Sequence, residues 1–298
     1  MQNAHPNAHS TVKSVRAALE RESRIDLHRW PVSIELTTDD ALVLEGEVGS
    51  VAAKKRALEI AGSWHNVRGV VDRLHVAPSE RKGDGAMLDS LTASLLGAAE
   101  LKNCTLRAVK KGGARMVQES GGEDSSGDIL VSVKAGIVTL DGWVLSLSHK
   151  RMTGVLAWWT PGCRDVVDCL EVLPPEQDND DEVSDALSLV LELDPLIPHP
   201  EQIHVQTRNY VVTLEGLVNT ETEKTRAEQD AWCLFAVDKV VNRLAVGDNK
   251  GKHGDVPRPG QARDDRIFRG CSSAASIRRT VRPRRVSRSS QCMHGCRA

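Results

Sequence analysis

The chain has 298 residues, a length that fits two or three domains better than one small domain. Its hydrophobic content of 40% is enough for packed cores, and with only two Phe and one Tyr beside six Trp, those cores must consist mainly of Val, Leu, Ile and Ala. The formal net charge of −2 hides an asymmetry, since residues 250–298 carry 13 basic and 3 acidic side chains (net +10) and residues 1–249 carry a net charge of −12.

The beginning of the chain, MQNAHPNAHSTVKS, lacks both the basic cluster and the apolar stretch of a secretory signal. No uncharged run approaches the ~20 apolar residues that a membrane-spanning helix needs. Seven cysteines without the regular spacing of a disulfide framework fit a reducing compartment. We therefore expect a cytoplasmic protein, or a periplasmic one if the true start lies upstream.

One short motif occurs three times, as LVLEGEV at 42–48, VTLDGWV at 138–144 and VTLEGLV at 212–218. The glycines of these motifs, Gly46, Gly142 and Gly216, are each followed at fixed spacings by the same residue types. These are a lysine eight residues on (Lys54, Lys150, Lys224), an alanine fifteen residues on (Ala61, Ala157, Ala231) and a valine thirty residues on (Val76, Val172, Val246). Such alignment without a gap indicates three tandem copies of one unit.

Each copy predicts the same elements in chain order. An amphipathic helix comes first, then two runs of alternating apolar residues joined by a short polar turn, then a second helix and a closing strand. The second helix follows an N-cap candidate in every copy: Ser50, Ser146 and Thr220. The glycine near the strand exit predicts a bulge or a close approach of two backbones. The predicted fold is α+β, with three tandem helix–strand–strand–helix–strand units, each a small mixed sheet covered on one face by two helices.

The predicted boundaries follow from changes in composition. We expect a disordered head at 1–10, units at 11–78, 86–174 and 182–248, and a disordered basic tail at 249–298. The second unit contains an insertion rich in Gly, Ser and charge at about 102–127. This insertion predicts a flexible loop and leaves the position of that unit's first strand open.

The apolar hairpin, the L-x-G-x-V motif, the lysine-bearing helix and the closing V-V-x-x-L-x-V strand resemble the BON domain. This family is named for osmotically inducible and nodulation-associated bacterial proteins, and the three copies here are similar to proteins of the osmotically inducible protein Y type. The resemblance implies a non-catalytic binding module of the stress or osmotic response that binds a phospholipid or envelope surface, or a protein partner. An intracellular protein–protein scaffold and non-specific nucleic-acid binding by the tail are the alternatives, and ion binding through backbone carbonyls stays open.

Three tryptophans are candidates for a binding surface. They lie sixteen or seventeen residues after the glycines, where a helix points them away from its alanine stripe: Trp158, Trp159 and Trp232. They form either an exposed partner or membrane-interface patch or the packing between neighbouring units. Because residues 1–249 are acidic, binding to anionic lipid would need a local basic patch, for which the candidates are Lys54, Lys150 and Arg151, with Lys55 and Arg56.

The remaining candidates predict no catalysis, no cofactor and no metal. Cys163 and Cys169 are too far apart for a tight pair, and Cys292, His294 and Cys296 lack the second ligand pair of a structural zinc site. The other polar candidates are His199 and His204, the acids before the glycines (Glu45, Asp141 and Glu215), and the tail arginines Arg278, Arg279, Arg282, Arg284 and Arg285. The histidines accompany no nucleophile motif, and the three acids belong to different units, whereas carboxylate-pair chemistry needs one cleft. The tail arginines can contact phosphates by charge alone.

Overall fold

A computed structural model of the protein describes residues 6–110, 112–120 and 125–247, and these residues form three consecutive α+β units. The first unit consists of α1 (Pro6–Arg21), β1 (Val32–Leu36), β2 (Ala41–Val48), α2 (Val51–Gly62) and β3 (Gly69–Val76). Its sheet has the order β1-β2-β3, with β1 antiparallel and β3 parallel to β2. Both helices cover the same face of this mixed sheet, as predicted.

The second unit has a larger sheet. It consists of α3 (Asp84–Gly97), β4 (Cys104–Lys110), β5 (Gly113–Gln118), β6 (Gly127–Lys134), β7 (Ile137–Val144), α4 (Leu147–Trp159) and β8 (Asp165–Val172). The strand order is β5-β4-β6-β7-β8, in which β6-β7-β8 is equivalent to the sheet of the first unit. The two extra strands lie beyond β6, with β4 parallel to β6 and β5 antiparallel to β4.

The third unit repeats the three-stranded plan of the first. Its elements are α5 (Asp180–Leu193), β9 (Ile203–Arg208), β10 (Val211–Val218), α6 (Glu221–Cys233) and β11 (Lys239–Val246). Strand β10 lies between β9, which is antiparallel to it, and β11, which is parallel. The α+β prediction of three repeated units is therefore confirmed.

Two parts of the chain differ from the sequence prediction. Residues 104–118 form the hairpin β4–β5 and not a flexible loop, because alternate side chains of β4 (Cys104, Leu106 and Ala108) are buried in the core of the second unit. Residues 6–10 belong to α1 and not to a disordered head. The helix begins at Pro6, where the missing amide hydrogen would have had no helical acceptor. The tail prediction for 249–298 lies outside the described residues.

The repeat glycines lie where two backbones approach each other. Gly46, Gly142 and Gly216 all have positive φ angles, of 144°, 112° and 129°. A Cβ atom on these glycines would lie 2.5 Å from the carbonyl oxygen of Pro31 in the first unit. In the other two units it would lie 2.0 Å from the carbonyl oxygens of Asp128 and Gln202. The predicted close approach is therefore present in all three units. The predicted N-caps are present too: the hydroxyl groups of Ser50, Ser146 and Thr220 accept from the backbone N–H three residues on.

The third unit packs against the other two through helices, whereas the first and second units meet at Arg164 and Asp165, where β8 begins. Helix α2 packs against α6, and α4 packs against both α5 and α6. Polar contacts join every pair of units: Lys54 Nζ lies 2.7 Å from an Asp165 oxygen, Lys55 Nζ donates to the Leu234 carbonyl at 2.6 Å, and Trp159 Nε1 donates to Asp230 at 2.9 Å. The core of the third unit also includes Val155 and Trp159 of the second. We call this contact region between the units the seam. The helices cover one face of each sheet, and we call the other face, which none of the described helices covers, its outer face.

Candidate functional site

The tryptophans predicted as a possible exposed patch lie in the seam between units. Trp232 is only 2% exposed and packs in the core of the third unit, with the Lys55 ammonium 6.0 Å from its ring centre. Trp159 is half-buried against the cores of two units, and Trp158 is half-buried against the core of the second. Trp159 and Trp232 therefore contribute to the packing between units, which is one of the two roles predicted for the tryptophans, whereas Trp158 packs against its own unit.

The basic residues predicted as a lipid-binding patch are also used internally. Lys54 is 7% exposed and lies 3.1 Å from Asp72 and 2.7 Å from Asp165. Lys150 donates to the Leu170 carbonyl at 2.7 Å. Arg151 is 1% exposed and is paired with Asp178. Both basic groups also lie over the ring of Phe235, with the guanidinium carbon of Arg151 4.8 Å and Nζ of Lys150 5.5 Å from the ring centre. The charges of Lys54, Lys150 and Arg151 therefore face acids, carbonyl oxygens and a ring within the fold, and lipid binding by these residues stays a prediction.

A buried acidic cluster stabilises the same seam. Arg226 is paired with Asp194 and lies 3.5 Å from Asp230, while Trp159 stacks on Arg226 at 5.0 Å and donates to Asp230. Asp230 is fully buried, and burial raises its pKa to about 8 although Arg226 acts in the opposite direction. Asp230 therefore holds its proton at neutral pH and acts as a neutral partner in the interface.

The other candidates from the sequence occupy separate places. The thiol of Cys163 is buried, and burial raises its pKa to about 12, so it stays protonated at neutral pH and lacks the nucleophilic thiolate form. His199 is exposed beside Glu201, and His204 is exposed on β9. Among the described residues, no three His, Cys, Asp or Glu side chains are placed to hold a metal ion. The candidate residues of the tail, at 278–285 and 292–296, lie outside the described residues.

The outer faces of the two three-stranded sheets carry cross-strand ion pairs. Glu45 on β2 is opposite Arg73 on β3 at 3.4 Å, and Glu215 on β10 is opposite Arg243 on β11 at 2.9 Å. In both units the acid directly precedes the repeat glycine. Both pairs are at least half exposed, so the charges point to water. The glycine-flanking acids thus serve as solvent-facing sheet residues in these two units.

The outer face of the middle sheet has a different composition. Asp141, the equivalent acid, is opposite Cys169 where the other units have arginine. One row of directly opposed residues crosses all five strands, in the order Met116, Arg107, Leu130, Asp141 and Cys169. We call this set the central row. It alternates apolar, basic, apolar, acidic and weakly polar side chains across the sheet.

Exposed apolar side chains are most frequent in the second unit, and three of them, Val109, Met116 and Val167, lie on strands beside or within the central row. Seven of the ten large apolar side chains that are exposed among the described residues belong to the second unit: Leu96, Val109, Met116, Val117, Leu145, Val167 and Leu173. Met116, at 55%, is the most exposed of those seven. Arg107 is held in place by two hydrogen bonds to Asp128, of 2.9 and 2.8 Å. The outer face of the middle sheet therefore combines several exposed apolar side chains with fixed charges, a composition that is typical of a binding surface.

Met116, Leu130 and Arg107 are not among the candidate residues that the sequence predicts. Two signals were present, namely the alternating apolar residues of 104–108 and the absence of an arginine at position 169. Within the described residues, each helix is too short or too polar to cross a bilayer.

Comparisons with known proteins give matches of two kinds. Two solved structures of CdsD, a structural protein of the type III secretion system of Chlamydia trachomatis, are similar to the chain at 14% and 13% identity. They cover 79% and 80% of this chain and 96% and 92% of their own, with TM-scores of 0.19 and 0.20, too low to carry an argument about arrangement or function. No curated protein matches the chain.

The match to a family model is more extensive. The BON domain model matches three segments, residues 9–78, 114–174 and 179–248, which together make up most of the chain. Each segment contains one hairpin, one repeat glycine and one closing parallel strand of the fold described above. The chain therefore belongs to the BON domain family, with three tandem copies.

Proposed function

We propose that the protein is a binding module that docks a protein partner on the outer face of its middle sheet. BON domains are generally non-catalytic binding domains, which supports a binding role. The observation that carries the proposal is the central row, because apolar side chains and two opposite charges, Arg107 and Asp141, share one face. A protein surface can match such a mixed row, whereas a lipid headgroup surface of one sign would repel one of the two charges.

The accessible charges favour a protein over an anionic phospholipid surface. Residues 1–249 have a net charge of −12, and the basic side chains expected to attract lipid are paired within the fold. A partner in the stress or osmotic response of a bacterium remains the role that the family supports. The alternative of an intracellular scaffold differs from this proposal only in the location of the partner, since both need a protein-binding face.

The test is site-specific photo-crosslinking in the cell that expresses the full chain. A photoreactive residue at position 116 is expected to give adducts with protein. The matched control is position 206 on β9, where Gln206 is exposed on the outer face of a three-stranded sheet. Protein adducts from position 116 but not from position 206 support the proposal. Equal yields from the two positions, or no adduct from position 116, would overturn it.

A lipid arm separates the second class of ligand. The full chain is not expected to sediment with vesicles of phosphatidylglycerol and phosphatidylethanolamine at physiological salt. Sedimentation together with lipid adducts at position 116 would replace the protein partner with a phospholipid surface. Sedimentation that is lost in a chain ending at Asp248 would assign lipid binding to the basic tail instead, and the same shortened chain tests tail-driven nucleic-acid binding.

A further inference from the structure

We infer that the partner on the middle sheet is a second copy of this chain, which packs face to face about a two-fold axis parallel to β6. This inference rests on the proposed function and names the occupant of its binding face. It is carried by three properties of the described residues: the width of the middle sheet, the order of side chains in the central row, and the contrast with the two flanking sheets.

The width of the sheet decides whether a face can hold a dimer. Five strands spaced ~4.8 Å apart, each about seven residues long at ~3.3 Å per residue, give a face of roughly 550 Å². Two such faces bury roughly 1,100 Å² in total, close to the lower limit of specific interfaces. A three-stranded face of the same length gives roughly 700 Å² in total, which is the size of a crystal-packing contact. The added strands β4 and β5 therefore bring only the middle sheet of the described residues into the range of a dimer.

The order of the central row is self-complementary under this symmetry. Leu130 lies on β6, the third of five strands, with Arg107 on one neighbour and Asp141 on the other. A two-fold axis that runs along β6 in the plane between the sheets exchanges the two sides of the row. Each Arg107 then faces Asp141 of the second copy, Leu130 faces its own counterpart, and Met116 faces Cys169. Two aligned sheets pack about 10 Å apart, a separation that these side chains span.

The flanking sheets lack this arrangement. Where the central row has Leu130, the first unit has Ser33 and the third has His204, each opposite the acid that precedes the glycine. Those acids already pair with arginine on the same sheet, through Glu45–Arg73 and Glu215–Arg243. Stacking either flanking sheet on itself would therefore cover charges that are paired and hydrated, which costs desolvation without a new partner. Arg107 of the middle sheet is also paired, with Asp128, but Asp141 has Cys169 and not an arginine opposite it. Stacking the middle sheet on itself therefore gives Asp141 a basic neighbour, which is the contrast that places self-association on this sheet.

The experiment is the mass of the full chain in solution, with a charge-reversal cycle on the two charged residues of the row. Sedimentation equilibrium is expected to give twice the 32.5 kDa of one chain. Arg107→Glu or Asp141→Arg places like charges opposite each other twice in the dimer, and each is expected to weaken self-association by about tenfold or more. The double variant R107E/D141R restores opposite charges and is expected to regain the dimer. Both residues lie on the sheet surface, so the variants keep the core intact.

A second pair of variants checks the position of the axis. Leu130→Arg is expected to abolish the dimer, because two arginines then meet at the axis. His204→Arg, at the equivalent position of the third unit, is expected to leave it unchanged, with circular dichroism verifying that both variants fold. A monomeric full chain, a dimer that survives L130R, a dimer lost equally in H204R, or a double variant that stays monomeric would each overturn the inference.

The two proposals fail separately. If the purified chain is monomeric while position 116 still forms adducts with a different protein, the protein-binding function stands and only the second copy is rejected. If position 116 gives no protein adduct and the chain is monomeric, both are rejected. Adducts of two copies of this chain, formed at position 116 and lost in L130R, support both.

Discussion

The middle sheet and the two flanking sheets are built on one framework and present different surfaces. All three have the same hairpin, the same positive-φ glycine and the same parallel third strand. On the outer face, the flanking units place an acid opposite an arginine, whereas the middle unit places Asp141 opposite Cys169 and adds two strands beside β6. A repeated unit can therefore keep its backbone requirements and change function through side chains that the core does not need.

The same comparison applies to the helical seam. Fourteen residues after the repeat glycine, the first and second units have Ile60 and Leu156, and the third has Asp230. Two of these positions follow the apolar pattern of the repeat, while Asp230 is a fully buried acid bonded to Trp159 of the middle unit. Departures from the repeat thus occur where units meet each other or the solvent, and the shared positions define the unit itself.

The largest expected effect tests the shared framework. Gly142→Ala should lower the free energy of unfolding by about 3–5 kcal/mol, because a Cβ atom at positive φ would lie 2.0 Å from the Asp128 carbonyl oxygen. Gly216→Ala should cost a similar amount, since the equivalent distance is also 2.0 Å. Urea denaturation monitored by circular dichroism measures both.

Gly113→Ala is the matched control for this pair. Gly113 also has a positive φ, of 114°, but a Cβ atom there has no heavy atom within 4 Å. The variant should cost only the conformational strain, about 1–3 kcal/mol. Equal costs at positions 113 and 142 would show that the close approach of backbones contributes nothing, and that conformation alone selects glycine.

An intermediate effect is expected at the buried acid of the seam. Burial raises the pKa of Asp230 in the folded state to about 8, from a usual value of 3.8. The folded protein therefore binds a proton that the unfolded chain releases above about pH 4, so the free energy of unfolding should fall as the pH rises from about 4 to about 8. Asp230→Asn removes this titration and keeps a side chain that can accept from Trp159, so it should flatten the decline and stabilise the protein at pH 9 by about 1–2 kcal/mol.

Asp185 on α5 provides the control, because this acid does not take part in the seam. Asp185 is exposed, so Asp185→Asn should leave the pH dependence as it is in the unchanged chain. The measurement is the midpoint of thermal unfolding at pH 5, 7 and 9 for the three proteins. A pH dependence in D230N equal to that of the unchanged chain would mean that Asp230 is ionised in the folded state.

The sequence predicted those features that recur within each unit. Gly142 could be identified because a glycine occurs at the same place in every copy. Ser146 could be identified because a serine or threonine precedes the second helix in every copy, where an N-cap is expected. Hairpin β4–β5 was interpreted as a flexible loop because it occurs once, and the Gly- and Ser-rich residues around it outweighed the alternation of Cys104, Leu106 and Ala108. A feature without a second copy in the chain has no internal comparison to support it.

The choice between an exposed tryptophan patch and packing between units was left open by the sequence for a related reason. Helical periodicity shows which side of a helix faces its own sheet, and it indicated that Trp158, Trp159 and Trp232 point away from that sheet. Periodicity carries no information about a neighbouring unit, which buries Trp232 to 2% exposure and Arg151 to 1%. The outer sheet face would have been found by comparing the strand positions across copies, where residue 169 is the one that is not arginine.

The smallest expected effect on stability exchanges the outer faces. Cys169→Arg gives the middle sheet the acid–arginine pair of the flanking sheets, and Arg243→Cys gives the third sheet the residue of the middle one. Exposed ion pairs contribute little, so each variant should change the free energy of unfolding by less than about 1 kcal/mol. The two should nevertheless differ in solution mass, because C169R engages Asp141 within its own sheet and withdraws it from the second copy, whereas R243C lies outside the proposed interface. If the C169R chain is as dimeric as the R243C chain, the residue opposite Asp141 does not control self-association. The difference between the outer faces of the sheets would then have no effect on binding.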